Sequence, residues 1–432
     1  MNQALLGYMA QKARTKSSAK NAAKTAPAPI LDSLETIGDP HRQAAFPVDH
    51  HFSGAVVDGA SADYEAVVKF LFSYNGSPST VSAYRRELER LLQWSWRVRR
   101  NSILALKRED IEDYIRFSID PPAAWIGVKN VARFVTHDGD RIPNPDWRPF
   151  VISAKSTQKN AGKAHYTPSQ ASIRLAFAVL SSFYDYLCQE TIVSVNPVAL
   201  IRQKSKFLRK DHDLAPVRRI SNLQWDYVIE TAELLAEKDP DQHERTLFIM
   251  NCLLGMYLRI SELVADARST PVMSDFRKDQ DGRWWFHVTG KGNKNRTVTV
   301  SDQMLEALKR YRAFRRLPPL PTIDEQAPLV SKLKGAGAVS STRQIRRIVQ
   351  ICFDESYERM KRDGLANDAQ ELRTATVHWL RHTGISEDVK VRPREHVRDD
   401  AGHASMVTTD RYIESDRRER HSSGKGKLLK DL

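Results

Sequence analysis

Apolar residues recur at three- and four-residue spacing along most of the chain, the period of helices that pack on one face. Val81, Tyr84, Leu88, Leu91 and Leu92 follow a Ser77-Pro78-Ser79-Thr80 start signal and predict such a helix, with Arg85, Arg86, Arg90, Arg97, Arg99 and Arg100 mostly off the stripe. One face packs and another is basic. A second stripe, Ile173, Ala176, Phe177, Leu180, Phe183, Tyr184 and Leu187, begins after Thr167-Pro168-Ser169 and stops before Asn196-Pro197. Helical patterns continue over about 222–237, 244–258, 302–316, 341–360 and 376–388. The period shifts to two in Trp284-Trp285-Phe286-His287-Val288 and in Thr297-Val298-Thr299-Val300. With Gly290-Lys291-Gly292-Asn293 between them, these runs predict a β-hairpin.

The interruptions divide the chain. Residues 1–58 are rich in Ala, Lys, Ser and Pro, and the first 30 hold five Lys/Arg and no acid, the composition of a mobile, disordered basic arm. Residues 59–201 form a helical domain with an insertion at about 121–165, marked by Pro121-Pro122, Asp138-Gly139-Asp140, Pro143 and Pro145 and carrying Trp125 and Trp147. Residues 202–219, with seven Lys/Arg against two acids, read as a basic linker suited to lie along a phosphate backbone. Residues 220–432 form an α+β domain, and no internal repeat is present in either half. The fold expected is mainly α with a small β-sheet.

Charge narrows the partner. The net +14 calls for a polyanion, either nucleic acid or an anionic membrane surface. Residues 59–219 carry 25 Lys/Arg against 16 Asp/Glu, so most of the excess lies in the helical domain and linker. The longest apolar stretch, Leu247 to Leu258, is broken by Asn251 and Gly255 and falls short of the roughly twenty residues of a membrane span. The N-terminal segment lacks the pattern of a secretion signal. Cys188, Cys252 and Cys352 are widely spaced among apolar neighbours, as reduced thiols of a cytoplasmic protein would be.

The second half holds phosphate-directed residues in order. Arg259 stands in LRISELVAD, with Glu262 as a nearby ion-pair partner. The hairpin turn GKGNKNR carries Lys291, Lys294 and Arg296 but lacks the Ser/Thr and spacing of a P-loop. HWLRHTG places His378 and Arg381 three apart on one helix face. His378 and His382 have the spacing of a zinc-binding helix, but Trp379 replaces the glutamate of that motif. In AGHASMVTTDRYIESD, His403 precedes Tyr412 by nine residues.

This ordered set resembles the tyrosine recombinase (phage integrase) family, through LRISEL, GKGNK, HxLRHT and GH…TTxxY over about 220–415. The resemblance implies an all-α N-terminal DNA-binding domain of the core-binding, SAM-like type and an α+β catalytic domain. It makes Arg259 and Arg381 the phosphate-clamping arginines, Lys291 the hairpin lysine, His378 and His403 the histidine positions, and Tyr412 the nucleophile. It implies a site-specific recombinase or integrase of a mobile element, acting on double-stranded DNA as a homo-tetramer holding two duplexes, with accessory recombination proteins among its partners. The cellular setting would be a bacterial nucleoid.

The chemistry fits those assignments. Two permanently charged guanidiniums neutralise the non-bridging oxygens of a phosphodiester as the transition state forms. A tyrosine with an ordinary pKa of about 10 needs cationic neighbours, or a nearby imidazole such as His378 or His403 to take its proton. Lys291, with Lys294 as the alternative, would protonate the leaving 5′-oxygen. The 3′-phosphotyrosyl intermediate conserves bond energy, so neither ATP, a divalent metal nor another cofactor is demanded.

Two features depart from the family pattern. Tyr257 replaces a glycine usual two residues before the first arginine, and the segment after Arg381 is highly charged and interrupted by Pro393. The competing readings are a type IB topoisomerase-like nicking and resealing enzyme, a DNA-binding accessory protein without catalysis, and a membrane-surface protein.

Overall fold

The computed structural model describes residues 26–38, 57–152, 166–201, 207–208, 218–267, 269–290, 295–410, 412 and 425. The chain divides into two compact units, 1–212 and 213–432. Among the described residues no helix is long and apolar enough to cross a membrane.

The first unit is built on α1 (Ala60–Phe72), α2 (Pro78–Trp94), α3 (Arg108–Ile119) and α4 (Gln170–Gln189). Pro78 occupies the first turn of α2, where a missing N–H leaves nothing unpaired, and the Ser169 hydroxyl caps α4 by accepting from the Ser172 N–H. The two stripes read from the sequence share one core: Leu88, Leu91 and Leu92 are buried together with Phe177, Leu180, Phe183 and Leu187.

The arginines of α2 and of the turn Ser95–Arg99 that follows it are not a free basic face. Arg85 donates to the Asp32 carbonyl at 2.5 Å, and Arg99 pairs with Asp110 at 2.5 Å. Arg90 pairs with Glu87 at 3.0 Å and donates to the Pro149 carbonyl at 2.8 Å. Arg97 is 4 % exposed and donates to Gln93. Helical periodicity locates an arginine off the apolar stripe but cannot see the segments that fold over it.

One such segment corrects the expectation of a mobile arm over 1–58. Ile30 and Leu31 are buried, and their N–H groups donate to the buried Glu89 carboxylate at 2.7 and 3.0 Å. Arg133 completes that carboxylate at 2.7 Å, and Arg141 pairs with Asp32. Average composition hides a docking point that rests on two apolar residues. Residues 1–25 and 39–56 lie outside the described set.

The insertion adds strands to this helical unit. β1 (Ile126–Gly127) pairs in parallel with β4 (Phe150–Val151), and β2 (Phe134–His137) pairs antiparallel with β3 (Asp140–Pro143). Asp138 and Gly139 turn the β2–β3 hairpin, both at positive φ, as a two-residue loop requires. Trp125, Trp147 and Phe150 are buried. Residues 153–165 of the insertion, and 202–206 and 209–217 of the linker, lie outside the described set.

The second unit contains α5 (Asn222–Lys238), α6 (Pro240–Gly255), a sheet of β5 (Phe276–Lys278), β6 (Trp284–Thr289) and β7 (Asn295–Thr299), then α7 (Asp302–Phe314), α8 (Thr342–Arg362), α9 (Val377–Asp388), α10 (Arg394–Ala401) and the short α11 (Met406–Asp410). The sheet is antiparallel in the order β5-β6-β7, and buried Phe286 faces Phe276 on one side and Val298 on the other. β5 is too short to alternate visibly in sequence.

Helix α6 starts earlier and stops earlier than its apolar run, because Asp239 caps it ahead of Pro240 and the chain turns sharply after Gly255. The Leu258 N–H reaches back to the Cys252 carbonyl at 3.5 Å, and Tyr257 adopts φ +50°. This is a left-handed residue just past a helix end, a position that favours glycine; another residue there costs about 1–2 kcal/mol. Helix α9 closes on this turn through Gly384, where a Cβ would lie 2.3 Å from the Leu254 carbonyl oxygen and 3.0 Å from the Tyr257 ring.

Candidate active site

Arg259 follows the left-handed turn and opens the one-turn helix Ile260–Glu262. Buried Glu262 accepts from the Arg259 backbone at 2.7 Å and from its Nη1 at 3.1 Å. It also takes both Nη groups of Arg296, on β7, at 2.7 and 2.8 Å. Burial alone would raise the Glu262 pKa; the hydrogen bonds and charges of Arg296 and then Arg259 outweigh it and hold the carboxyl below its usual range.

The turn after α10 is seated on the same arginines. Arg296 Nε donates to the Asp400 carbonyl at 2.9 Å, and Arg259 Nη2 reaches the Gly402 carbonyl at 3.3 Å. Gly402 has φ +63°, and a Cβ on it would lie 2.7 Å from Arg296 Cδ, so both conformation and space demand glycine.

Arg381 projects from α9 and is 4 % exposed. Its Nη1 donates to the Tyr257 carbonyl, and its Nη2 donates to the Ala401 carbonyl at 2.5 Å and lies 3.5 Å from His403 Nε2. Arg259 Nη2 approaches the same Ala401 carbonyl at 3.5 Å, so the two guanidiniums converge. Burial, then the charges of Arg259 and Arg296, lower the Arg381 pKa to about 9, which leaves it charged at neutral pH. Arg259 and Arg296 share one carboxylate while Arg381 is met by carbonyls and an imidazole, so the group is suited to receive an anion.

Three histidines lie around this cationic centre. His403 is pushed down to about 4 by burial and by Arg381 and Arg259, and is therefore neutral at pH 7. Its Nδ1 stands 3.0 Å from Thr409 Oγ1. Because Nε2 faces a guanidinium donor, the network assigns the ring proton to Nδ1. His378 is lowered by burial, then by Arg381, Arg259 and Arg346, and with Arg381, Arg346 and Thr376 it lines a cavity of about 160 Å³. His382, one helical turn further along α9, has its ring 5.8 Å from that of His378.

Tyr412 is 9 % exposed, and its hydroxyl lies 2.7 Å from His382 Nδ1. The His403 ring stacks on it at 5.8 Å between centroids. The structure thus brings together Arg259, Arg381, His403 and Tyr412, with His378 joined to the group through Arg381 and His382. Lys291 and Lys294 lie outside the described residues. The sequence gives no role to His382 and places Arg296 only among the cations of the hairpin turn. His382 entered only through its spacing from His378, and Tyr412 lies 30 positions away from it, beyond any local pattern.

No family model matches the chain. Over 264 residues it is 27 % identical to the tyrosine recombinase XerC of Thermodesulfovibrio yellowstonii, covering 57 % of this chain and 72 % of that protein. The tyrosine recombinase XerC of Chlorobaculum parvum is 25 % identical over 253 residues, covering 56 % and 68 %. Among solved structures, the XerH site-specific recombinase bound to palindromic difH substrate, a post-cleavage complex, superposes with a TM-score of 0.56 at 14 % identity. That match covers 95 % of this chain and 94 % of the other, and at such identity it is a likeness of fold.

Proposed function

We infer the function from one premise: the chain belongs to the tyrosine recombinase family, enzymes of DNA strand breakage and rejoining. Its proposed activity is site-specific recombination or integration through a 3′-phosphotyrosyl intermediate. The observation that carries this reading is the convergence of Arg259 and Arg381 on the Ala401 carbonyl, beside His403 and the hydrogen-bonded pair Tyr412 and His382.

In the proposed reaction the scissile phosphate sits against Arg259 and Arg381, which neutralise its non-bridging oxygens. The Tyr412 oxygen attacks phosphorus as its proton passes to His382 Nδ1. The new bond joins phosphorus to Tyr412, and the bond to the 5′-oxygen breaks. Lys291, or Lys294 in its place, gives that oxygen a proton. His403, neutral before DNA arrives, contacts the phosphate from the side of Arg381. A second strand's 5′-hydroxyl reverses the sequence, so the bond energy stays in the phosphotyrosyl link and the steps require neither ATP nor a metal ion. The assembly proposed is a homo-tetramer on two duplexes in a bacterial cytoplasm.

The test is covalent capture from a pool of random-sequence duplexes, with the attached DNA sequenced. Wild type should yield a phosphotyrosyl adduct at a defined sequence, and Tyr412→Phe none. Relaxation of any supercoiled plasmid without a preferred site would instead favour the topoisomerase reading, and an adduct that survives in Tyr412→Phe would reject the nucleophile.

A further inference from the structure

Tyr257 occupies a left-handed position that glycine would fill without strain, and its side chain is tied on both sides. The hydroxyl donates to Asp388 Oδ2 at the end of α9 and accepts from Arg392 Nη1 at 3.1 Å. Arg392 bridges Asp388 at 3.0 Å and Asp400 at 2.6 Å. Asp400 in turn accepts the N–H and the hydroxyl of Thr299, on β7, at 3.1 and 3.2 Å. The contacts therefore run from the end of α6, across the end of α9, to α10 and the sheet. Burial and the charge of Asp388 raise the Tyr257 pKa, so the phenol is a neutral donor at working pH.

Arg381 lies between the two ends of this chain of contacts. One of its acceptors is the carbonyl of Tyr257 itself, and the other is the carbonyl of Ala401, next to Asp400. A guanidinium is planar and rigid, so two carbonyls at a fixed separation set its tilt. We propose that Tyr257, Asp388, Arg392 and Asp400 form a brace that holds those carbonyls in place and aims Arg381 at the scissile phosphate, which makes Tyr257 a positioning residue for strand cleavage. The inference rests on the recombinase reading above. A residue in strained backbone persists where its surroundings hold it; at this position glycine would keep the turn and lose the brace.

Tyr257→Phe removes one hydroxyl and keeps the ring over Gly384. Single-turnover cleavage is measured on a nicked duplex of the sequence recovered from wild-type adducts. One substrate carries an ordinary scissile phosphate and the other a methylphosphonate, which lacks the anionic oxygen that a guanidinium neutralises. On the phosphate, Tyr257→Phe should cleave about ten- to a hundredfold more slowly with unchanged DNA affinity. On the methylphosphonate the deficit should largely disappear, which loss of packing alone would not produce. Arg392→Lys, which keeps the charge without the fork, should behave alike, and the double variant should be little worse than either single one.

Melting curves accompany the rates, and if Tyr257→Phe does not fold, Arg392→Lys decides. The brace is overturned if wild type cleaves and the folded variants match its rate, or are slowed equally on both substrates. Failure of wild type to form any adduct with the duplex pool would reject the recombinase reading instead.

Discussion

The Tyr412 hydroxyl lies 2.7 Å from Nδ1 of His382. Of the imidazoles near this phenol, His403 turns Nδ1 to Thr409 and Nε2 to the Arg381 guanidinium, so both of its ring nitrogens already have partners. In the proposed reaction His382, rather than His403, is thus the imidazole placed to receive the tyrosine proton.

His382→Gln retains a hydrogen-bonding group beside Tyr412 but supplies no base. Adduct formation should fall by about 10²- to 10⁴-fold, the usual contribution of general base catalysis, with DNA affinity unchanged. Single-turnover rates across a pH series check this, and the variant's rate should vary less with pH than the wild-type rate. Wild-type rates in His382→Gln would place the proton acceptor elsewhere.

Glu262 holds two cationic groups in place. Glu262→Gln keeps the shape and removes the carboxylate charge that Arg259 and Arg296 share, leaving them and Arg381 in mutual repulsion. Removing one member of a buried pair costs about 3–5 kcal/mol, which urea unfolding should report as a lower midpoint. The folded-state pKa of Glu262 is lowered from the ordinary 4.5, so its stabilisation is present above that value and is lost as pH falls through the folded pKa. The gap between wild type and variant should close in acid.

Gly384→Ala tests the approach of α9 to the end of α6. The added methyl would lie 2.3 Å from the Leu254 carbonyl oxygen, and backbone cannot swing aside as a flexible side chain can. Overpacking of this kind costs about 1–3 kcal/mol. The melting temperature should drop, and since Tyr257 is the next contact, cleavage should drop with it; a variant as stable and active as wild type would mean that the two helices are free to separate.

Much of the framework was legible because it follows from short-range pattern. The stripes of α2 and α4 and the hairpin strands β6 and β7 each depend on spacing within one segment, whereas Arg259, Arg381, His403 and Tyr412 stand out in the sequence only through the order of motifs that carries the family resemblance. What escaped depends on pairs distant in sequence. Nothing local ties Tyr412 to His382, Ile30 to Glu89, or Asp400 to Thr299. The replacement of glycine by Tyr257 was visible as a departure, but its meaning lies in a hydroxyl that meets Asp388, 131 positions away. Part of the charged run after Arg381 is accounted for by the same contacts, since Arg392 pairs with both Asp388 and Asp400.

His403 gives the site a pH dependence of its own. Its folded-state pKa of about 4 lies below the ordinary 6.5, so below pH 6.5 the unfolded chain takes up a proton that the folded chain refuses. Stability should therefore be full above about 6.5 and decline toward 4, with His378, also lowered, contributing in the same direction. His403→Asn should flatten that decline without removing it, as melting temperatures over the series would show. Phosphate bound beside Arg381 reverses the electrostatics, since a neighbouring anion favours the imidazolium. At about pH 6, DNA binding should then take up protons in wild type and fewer in His403→Asn, measured by calorimetry in buffers of different ionisation heat. Equal uptake by the two proteins would mean that the phosphate does not reach His403.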